Sequence, residues 1–406
     1  MKILVIGTGM YVTGRNTDGY GTIFPSIIEF QRIYKAKDLE VIFVGTNALK
    51  SSLSKKKVLK ALKISGLKVK VKFYPNKRDK NKTNYKTILK NEKGLNSAIV
   101  VVPDHLHYKV VNDCLNYNLH TLVVKPFTTK LSEAKKLIEK QKRRNVFGLV
   151  EFHKRFDKHN LLLKNVYQSN KLGKPLYFNV EYSQRKIIPE NAFKGWASKT
   201  NILQYLGIHY IDLVYFITKA TPVRVMAMGQ KNWLKEKKIN TFDSIQCFIE
   251  WKSKSNILFN QTLVVNWIDP NNTSSMSYQK IKFCGTKGNY ESDQKNRGIK
   301  IVSDNDNFQE PNPDFCQSFI SDDNLTSWKG YGIKSVLNFL EGVRKLNSKK
   351  NISAKVFDNN SASFKDALIS TAVIEAASKS LKKKWAESLY KKWRGPRRVA
   401  SWEAQV

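Results

Sequence analysis

Hydrophobic residues in the first 152 positions come in short blocks. ILVIGTG (3–9), LEVIFVGTN (39–47), SAIVVVP (97–103), LHTLVV (119–124) and VFGLVEF (146–152) are runs apolar on both faces, and KVKVKFY (68–74) is a shorter alternating one. Between them, stretches near 22–35, 48–64, 83–93, 106–117 and 131–143 carry apolar residues at helical spacing. Strands apolar on both faces, alternating with helices, predict a doubly wound parallel sheet. After about residue 155 the pattern changes. Phe178, Val180 and Tyr182 alternate with Asn179, Glu181 and Ser183, and Ile245, Cys247, Ile249 and Trp251 alternate with more polar neighbours. KIKF (280–283) does the same, and further strand-like runs lie at 222–229 and 257–267. Period-two strands in succession predict a large, mostly antiparallel open sheet with one covered face. Helices near 157–169, 202–218, 331–346 and 361–384 are expected to cover it. The division predicted is 1–152 for an α/β domain, 153–385 for an α+β domain and 386–406 for a basic tail.

Composition narrows the class. The chain has 406 residues, 41% of them hydrophobic, which is enough to bury a core and excludes a wholly disordered basic protein. No apolar run reaches the length of a membrane helix. The chain starts directly in a strand-like run, so a cytoplasmic location is expected. Cys114, Cys247, Cys284 and Cys316 form no close pair, and the six histidines carry no ligand spacing. No metal site is expected. The net charge of +38 suggests nucleic acid or an anionic membrane. However, it comes from 58 lysines against 13 arginines spread along the chain, which reads better as solvated decoration of an ordinary enzyme. The tail, LYKKWRGPRRVASWEAQV (389–406), reads as a binding arm, a loosely docked end or a cloning scar.

Gly7-Thr8-Gly9 follows the first strand. In a Rossmann domain the first glycine of such a turn makes it tight, and the second lets the backbone approach a pyrophosphate. Val12 holds the place of a third glycine, and Arg15 to Gly21 lengthen the loop. Gly7, Thr8, Gly9, Met10 and Tyr11 are the expected cofactor contacts, and Arg15 would reach a phosphate or an acidic substrate group. A tight turn without a ligand is the plainer alternative. The second strand ends at Thr46-Asn47 without the carboxylate that normally holds a ribose 2′-hydroxyl. Ser51, Ser52 and Lys55 to Lys57 follow, so the cofactor is NAD or NADP with a lean to NADP.

Val102-Pro103-Asp104-His105-Leu106-His107 and Val123-Val124-Lys125-Pro126-Phe127 close two further strands. Both fall at carboxyl ends, where an open α/β sheet places its ligands. Val102, Pro103, His105, His107, Lys125 and Pro126 join the cofactor side. In the second half, Tyr205, His209 and Asp212 follow helical spacing on a segment apolar nearly all round, so they should share a buried stripe. A buried histidine beside an aspartate suits a general base, or else is a structural pair.

GxG after an N-terminal strand, PxxxH at 103–107, a Lys-Pro turn at 125–126, His153-Lys154-Arg155-Phe156 and the Gly285-Thr286-Lys287-Gly288 turn together resemble the Gfo/Idh/MocA family from residue 1 to about 385. That resemblance implies a nicotinamide-dependent oxidoreductase. It would transfer hydride between the cofactor and a carbinol carbon of a sugar, sugar acid, nucleotide sugar or polyol. It implies that Lys125 touches cofactor and substrate and assists proton movement, with Val124 in place of the family's glutamate. It implies His107 near the nicotinamide and His209 as the histidine of Asp-x-x-x-His, with Tyr205 where the aspartate stands. Lys154, Arg155, Gln184, Lys186, Lys194 and Trp196, with Asp212, are expected at the substrate wall. The alternatives are an NAD-dependent glycosidase of the same fold, a non-enzymatic dinucleotide-binding protein and a basic nucleic-acid binder. A homodimer or homotetramer is expected from the uncovered sheet face.

Overall fold

The computed structural model describes residues 1–76, 79, 83–305, 308–348 and 362–382. The tail expected at 386–406 lies outside them. The chain opens with β1 (Lys2–Ile6), α1 (Met10–Thr13), α2 (Ile23–Tyr34), β2 (Glu40–Val44), α3 (Ala48–Ser65) and β3 (Lys70–Tyr74). It continues with α4 (Tyr85–Asn91), β4 (Ser97–Val100), α5 (His107–Asn116), β5 (His120–Val124), α6 (Leu131–Arg144) and β6 (Gly148–Glu151). The six strands form one all-parallel sheet in the order β3-β2-β1-β4-β5-β6. Chain direction across the sheet reverses between β1 and β4, the place where a doubly wound sheet opens a crevice. Local chemistry sets the helix ends. The Asn47 side chain accepts the Lys50 N–H at 2.8 Å to start α3, and Gly66 at φ 67° ends it. Ala134, Leu137, Ile138 and Gln141 make the buried stripe of α6.

The second half adds α7 (Lys158–Gln168), β7 (Pro175–Arg185), α8 (Ile208–Thr218), β8 (Thr221–Gln230), α9 (Trp233–Glu236), β9 (Ser244–Lys252) and β10 (Leu258–Asp269). Then come β11 (Ser277–Gly285), β12 (Gly288–Asp293), β13 (Gln317–Ile320), β14 (Thr326–Lys329), α10 (Tyr331–Ser348) and α11 (Ala367–Lys382). Its large sheet runs β12-β11-β7-β10-β9-β8. It is antiparallel except where β7 lies parallel to β10 at its centre. Phe178, Val180, Cys247, Ile249, Leu263, Val265 and Ile281 point to the covered face and are buried. Val223, Met226, Met228 and Phe248 stay exposed.

One expected placement changes. α10 does not cover the second sheet. Val336, Phe339, Leu340 and Val343 pack into the first domain's core with Ile3, Val5 and Phe147. The β13–β14 hairpin follows it: Trp328 N donates to Glu29 Oε1 at 2.9 Å, and Arg32 donates to the Thr326 carbonyl at 2.8 Å. The segment from β13 through α10 therefore returns to the first domain, while α11 covers the second sheet as expected, because an amphipathic stripe specifies burial without naming the sheet that supplies it. The return continues at the far edge, where Val150 N donates to the Ala362 carbonyl at 2.8 Å and Leu149 bridges Ser363.

Candidate active site

The glycine turn is built from backbone. Gly7 sits at φ 117°, and a Cβ there would lie 2.0 Å from the Val101 carbonyl oxygen, so only glycine fits. A Cβ on Gly9 would meet nothing within 4 Å. That open space over the turn, at the sheet's switch point, is the cradle a pyrophosphate would fill, so the residues present fit a dinucleotide. The inserted loop folds down beside it. Arg15 Nη1 donates to the Thr8 carbonyl at 2.8 Å and to Thr8 Oγ1 at 3.0 Å. Lys57 Nζ reaches the carbonyls of Thr17, Asp18 and Gly19 at 2.6, 3.3 and 3.1 Å. Met10 lies at the surface of the turn, while Tyr11 turns inward, its hydroxyl 3.4 Å from His153 Nδ1.

At the end of β2, Thr46 is exposed and Asn47 is occupied as a helix cap. Ser51 donates to the Tyr74 carbonyl at 2.9 Å, and Lys57 holds the loop. Two of the donors behind the lean to NADP are thus engaged in the fold. Ser52 is half-buried, and Lys55 and Lys56 are exposed.

His107 is fully buried, with Nε2 2.8 Å from the Val102 carbonyl and Nδ1 2.5 Å from the Pro126 carbonyl. It ties two strand-end turns together and presents neither nitrogen to the crevice, contrary to the expected place beside a nicotinamide. His105 is exposed. Asp104, which the sequence reading passed over, accepts from Thr200 Oγ1 and Gln204 Nε2, each at 2.7 Å, and so latches the first domain to the second.

Lys125 follows β5, and its peptide bond to Pro126 is cis. Its Nζ donates to the Tyr205 carbonyl and lies 3.7 Å from the centre of the Tyr205 ring. Burial lowers its pKa to about 8, against the opposing pull of Asp104 and Glu151. Tyr205 packs on Phe193, Trp267 and Trp196 at 4.8, 5.7 and 6.2 Å between ring centres. Burial, with Tyr182 and Asp104 nearby, pushes its pKa up, so it is a neutral phenol with no carboxylate-like charge.

Of the expected stripe, Tyr205 lies in a π-helical turn, Leu203–Gly207, and its ring faces Lys125. Asp212 serves Arg155 instead: Arg155 Nη2 and Nε donate to its two oxygens at 2.6 and 2.7 Å, and Nη1 bonds Asp366 at 2.9 Å. Burial works against the Arg155 charge, but Asp212 and Asp366 outweigh it and push its pKa up. Both residues are buried and committed to one another. Gln184 is likewise taken, accepting from Trp267 Nε1 at 3.0 Å, and Lys186 lies over the Trp233 ring at 4.2 Å. Trp196 is half-buried and Lys194 exposed.

His209 is 1% exposed, and its Nδ1 has no hydrogen-bond partner among the described residues. Its ring lies 4.4 Å from that of His153. Burial, then His153, Lys125 and Lys154, hold its pKa well below the ordinary imidazole range. Lys154, also 1% exposed, donates to Gln279 and Gln294 amid the rings of Tyr182, Tyr210 and Tyr331. Burial brings its pKa to about 7. Glu151, the last residue of β6, was missed although an acid closing an apolar parallel strand is a recognisable signal. Its oxygens lie 3.1 and 3.2 Å from His153 Nδ1.

Both halves of the chain match known proteins. Residues 55–152 match the family described as an oxidoreductase family with an NAD-binding Rossmann fold, and residues 161–291 match the GFO/IDH/MocA C-terminal domain. An uncharacterised oxidoreductase of Schizosaccharomyces pombe is 31% identical over 116 residues, covering 28% of this chain and 31% of that protein. Inositol 2-dehydrogenase of Salmonella typhimurium is 26% identical over 128 residues, covering 31% of this chain and 36% of that protein. The chain thus spans about a third of the length of the curated relatives it matches. The crystal structure of scyllo-inositol dehydrogenase from Lactobacillus casei with NAD(H) and scyllo-inositol shares the fold. Its TM-score is 0.64 at 14% identity, covering 94% of this chain and 97% of that one.

Proposed function

The chain belongs to the Gfo/Idh/MocA family of NAD-binding oxidoreductases, and on that premise we propose that it oxidises a secondary alcohol of a sugar, sugar acid, nucleotide sugar or polyol, or reduces the matching ketone. The observation that carries the reading is that Lys125, at the end of β5, lies near enough to His209 of α8 for its charge to act on the imidazole, while His153 links that imidazole to Tyr11 of the glycine turn. A bound nicotinamide supplies the hydride acceptor or donor. The chain supplies the proton chemistry. His209, held neutral, receives the hydroxyl proton, and Lys125 donates a hydrogen bond to the same oxygen and stabilises its negative charge. The aromatic wall of Phe193, Trp196 and Tyr205 offers a sugar face something to stack on. Gly7, Thr8 and Gly9 would hold the pyrophosphate, and Thr46 and Asn47 the ribose end, with NAD and NADP both admissible. The exposed Val223, Met226, Met228 and Phe248 fit a contact between copies, as in a homodimer or homotetramer. A cytoplasmic setting accords with four free cysteines.

Thermal-shift titration with NAD, NADP and their reduced forms, followed by nicotinamide absorbance with a panel of polyols and sugars, tests the proposal. Saturable stabilisation by one nucleotide is expected, with net cofactor turnover that Lys125→Ala removes. Stabilisation without turnover on any alcohol or ketone overturns the oxidoreductase reading and favours a binding protein. Substrate cleavage with the cofactor returned unchanged favours the glycosidase.

A further inference from the structure

Four residues before His209 stands Tyr205, a neutral phenol, where the resemblance implies an aspartate. We propose that Glu151 and His153 together replace that missing carboxylate, acting on His209 across the domain seam. The inference rests on the oxidoreductase reading above and adds two positioning residues to it.

Three observations converge. First, His209 Nδ1 is buried and has no hydrogen-bond partner among the described residues. Second, the nearest ring is that of His153, at 4.4 Å and tilted by 49°. Third, His153 is held from behind by Glu151, 1% exposed, whose two oxygens bracket Nδ1 at 3.1 and 3.2 Å, with the Tyr11 hydroxyl at 3.4 Å. A buried carboxylate set against an imidazole fixes which nitrogen carries the proton and offsets positive charge on the ring side.

The surroundings make that offset necessary. Lys125 faces His209 from the end of β5, and Lys154 and His153 face it from the turn after β6. Tyr205 and Asp212 lie on its own segment, but Asp212 is consumed by Arg155. Phe152 lies edge-on to it at 6.1 Å. Around His153 stand Glu151, Tyr11, Phe315 and Tyr331. Glu151 is thus the carboxylate placed to offset the positive charge that His209 gains with the hydroxyl proton. His209 takes the proton from the substrate oxygen, a bound nicotinamide would supply the hydride acceptor, and the carboxylate acts only through its field and through the His153 ring.

The test compares wild type, Glu151→Gln, Glu151→Asp and His153→Asn by kcat, KM and the pH profile of kcat. In parallel, the imidazole NMR signals of His209 in the nucleotide-free protein are assigned with His209→Asn. Glu151→Gln is expected to lower kcat tenfold or more with KM within about twofold, to shift the acid limb to lower pH, and to move the His209 signals. Glu151→Asp should recover most of kcat. His209 signals and an acid limb unchanged in Glu151→Gln overturn the proposal, whatever happens to the rate. A wild-type protein that turns over no nicotinamide sinks the oxidoreductase reading instead. The His209 signals still report on the pair in that case.

Discussion

The two ends of the crevice are built by opposite means. At the nucleotide end the surface is backbone: Gly7 admits no side chain, Gly9 leaves space, and Arg15 and Lys57 serve mainly to hold loop carbonyls. At the domain seam the surface is side chain: Lys125, Lys154, His153, His209 and Glu151 converge from separate elements, beside the Arg155–Asp212–Asp366 ion cluster. The first arrangement tolerates loss of a side chain and resists gain of one. The second tolerates neither loss nor neutralisation, because each group sets the charge of the next.

Substitutions can break that contrast. The largest effect should come from Asp212→Asn, which leaves the buried Arg155 partly uncompensated and should cost roughly 3–5 kcal/mol, read by urea unfolding. A loss below about 1 kcal/mol would mean that Asp366 alone balances the guanidinium. Next, Lys125→Ala should lower kcat about 100-fold or more while the nucleotide-induced thermal shift persists. Lys125 carries its charge below about pH 8 and loses it above, so oxygen stabilisation is present at lower pH and lost as pH rises through that value. Ketone reduction should therefore fall above about pH 8. Lys125→Arg should move that limb upward if it retains activity. At the other end Gly7→Ala should cost more than about 2 kcal/mol and abolish the nucleotide shift, since the added carbon meets the Val101 oxygen in a backbone region closed to L-residues. The smallest effect belongs to Lys57→Ala, within about 0.5 kcal/mol of wild type and within about twofold in nucleotide affinity. A large loss there would show that the inserted loop binds through its side chains after all.

This contrast also explains what could be read from the chain. The glycine turn, the strand blocks and the Lys-Pro turn were legible because each is a local pattern whose meaning does not depend on distant partners. The second sheet was legible from alternation, down to the exposure of Phe248 beside buried Cys247 and Ile249. The seam was not. Helical spacing grouped Tyr205, His209 and Asp212, but Lys125, 80 positions before Tyr205, packs on its ring and Arg155, 57 positions before Asp212, claims the last. His107 looked like chemistry and proved to be a clasp between two turns. Glu151 carried a signal at a strand end, but its partner His153 becomes meaningful only once α8 is packed against it.

The pairing of residues 362–364 with β6 has a consequence for how the molecule is made. Phe364 lies against Gly148, where even a Cβ would come within 2.6 Å of its ring, and it stacks on Phe127 at 4.3 Å. The outer strand of the first sheet is therefore finished by chain that the ribosome delivers more than 200 residues after β6, and the core on its other side by α10, which also follows long after β6. Until then the nascent first domain exposes an unpaired strand edge and an apolar face, the state most open to mispairing. The molecule has two domains by architecture but one by assembly, and a fragment ending at residue 152 should aggregate instead of folding into a free nucleotide-binding module.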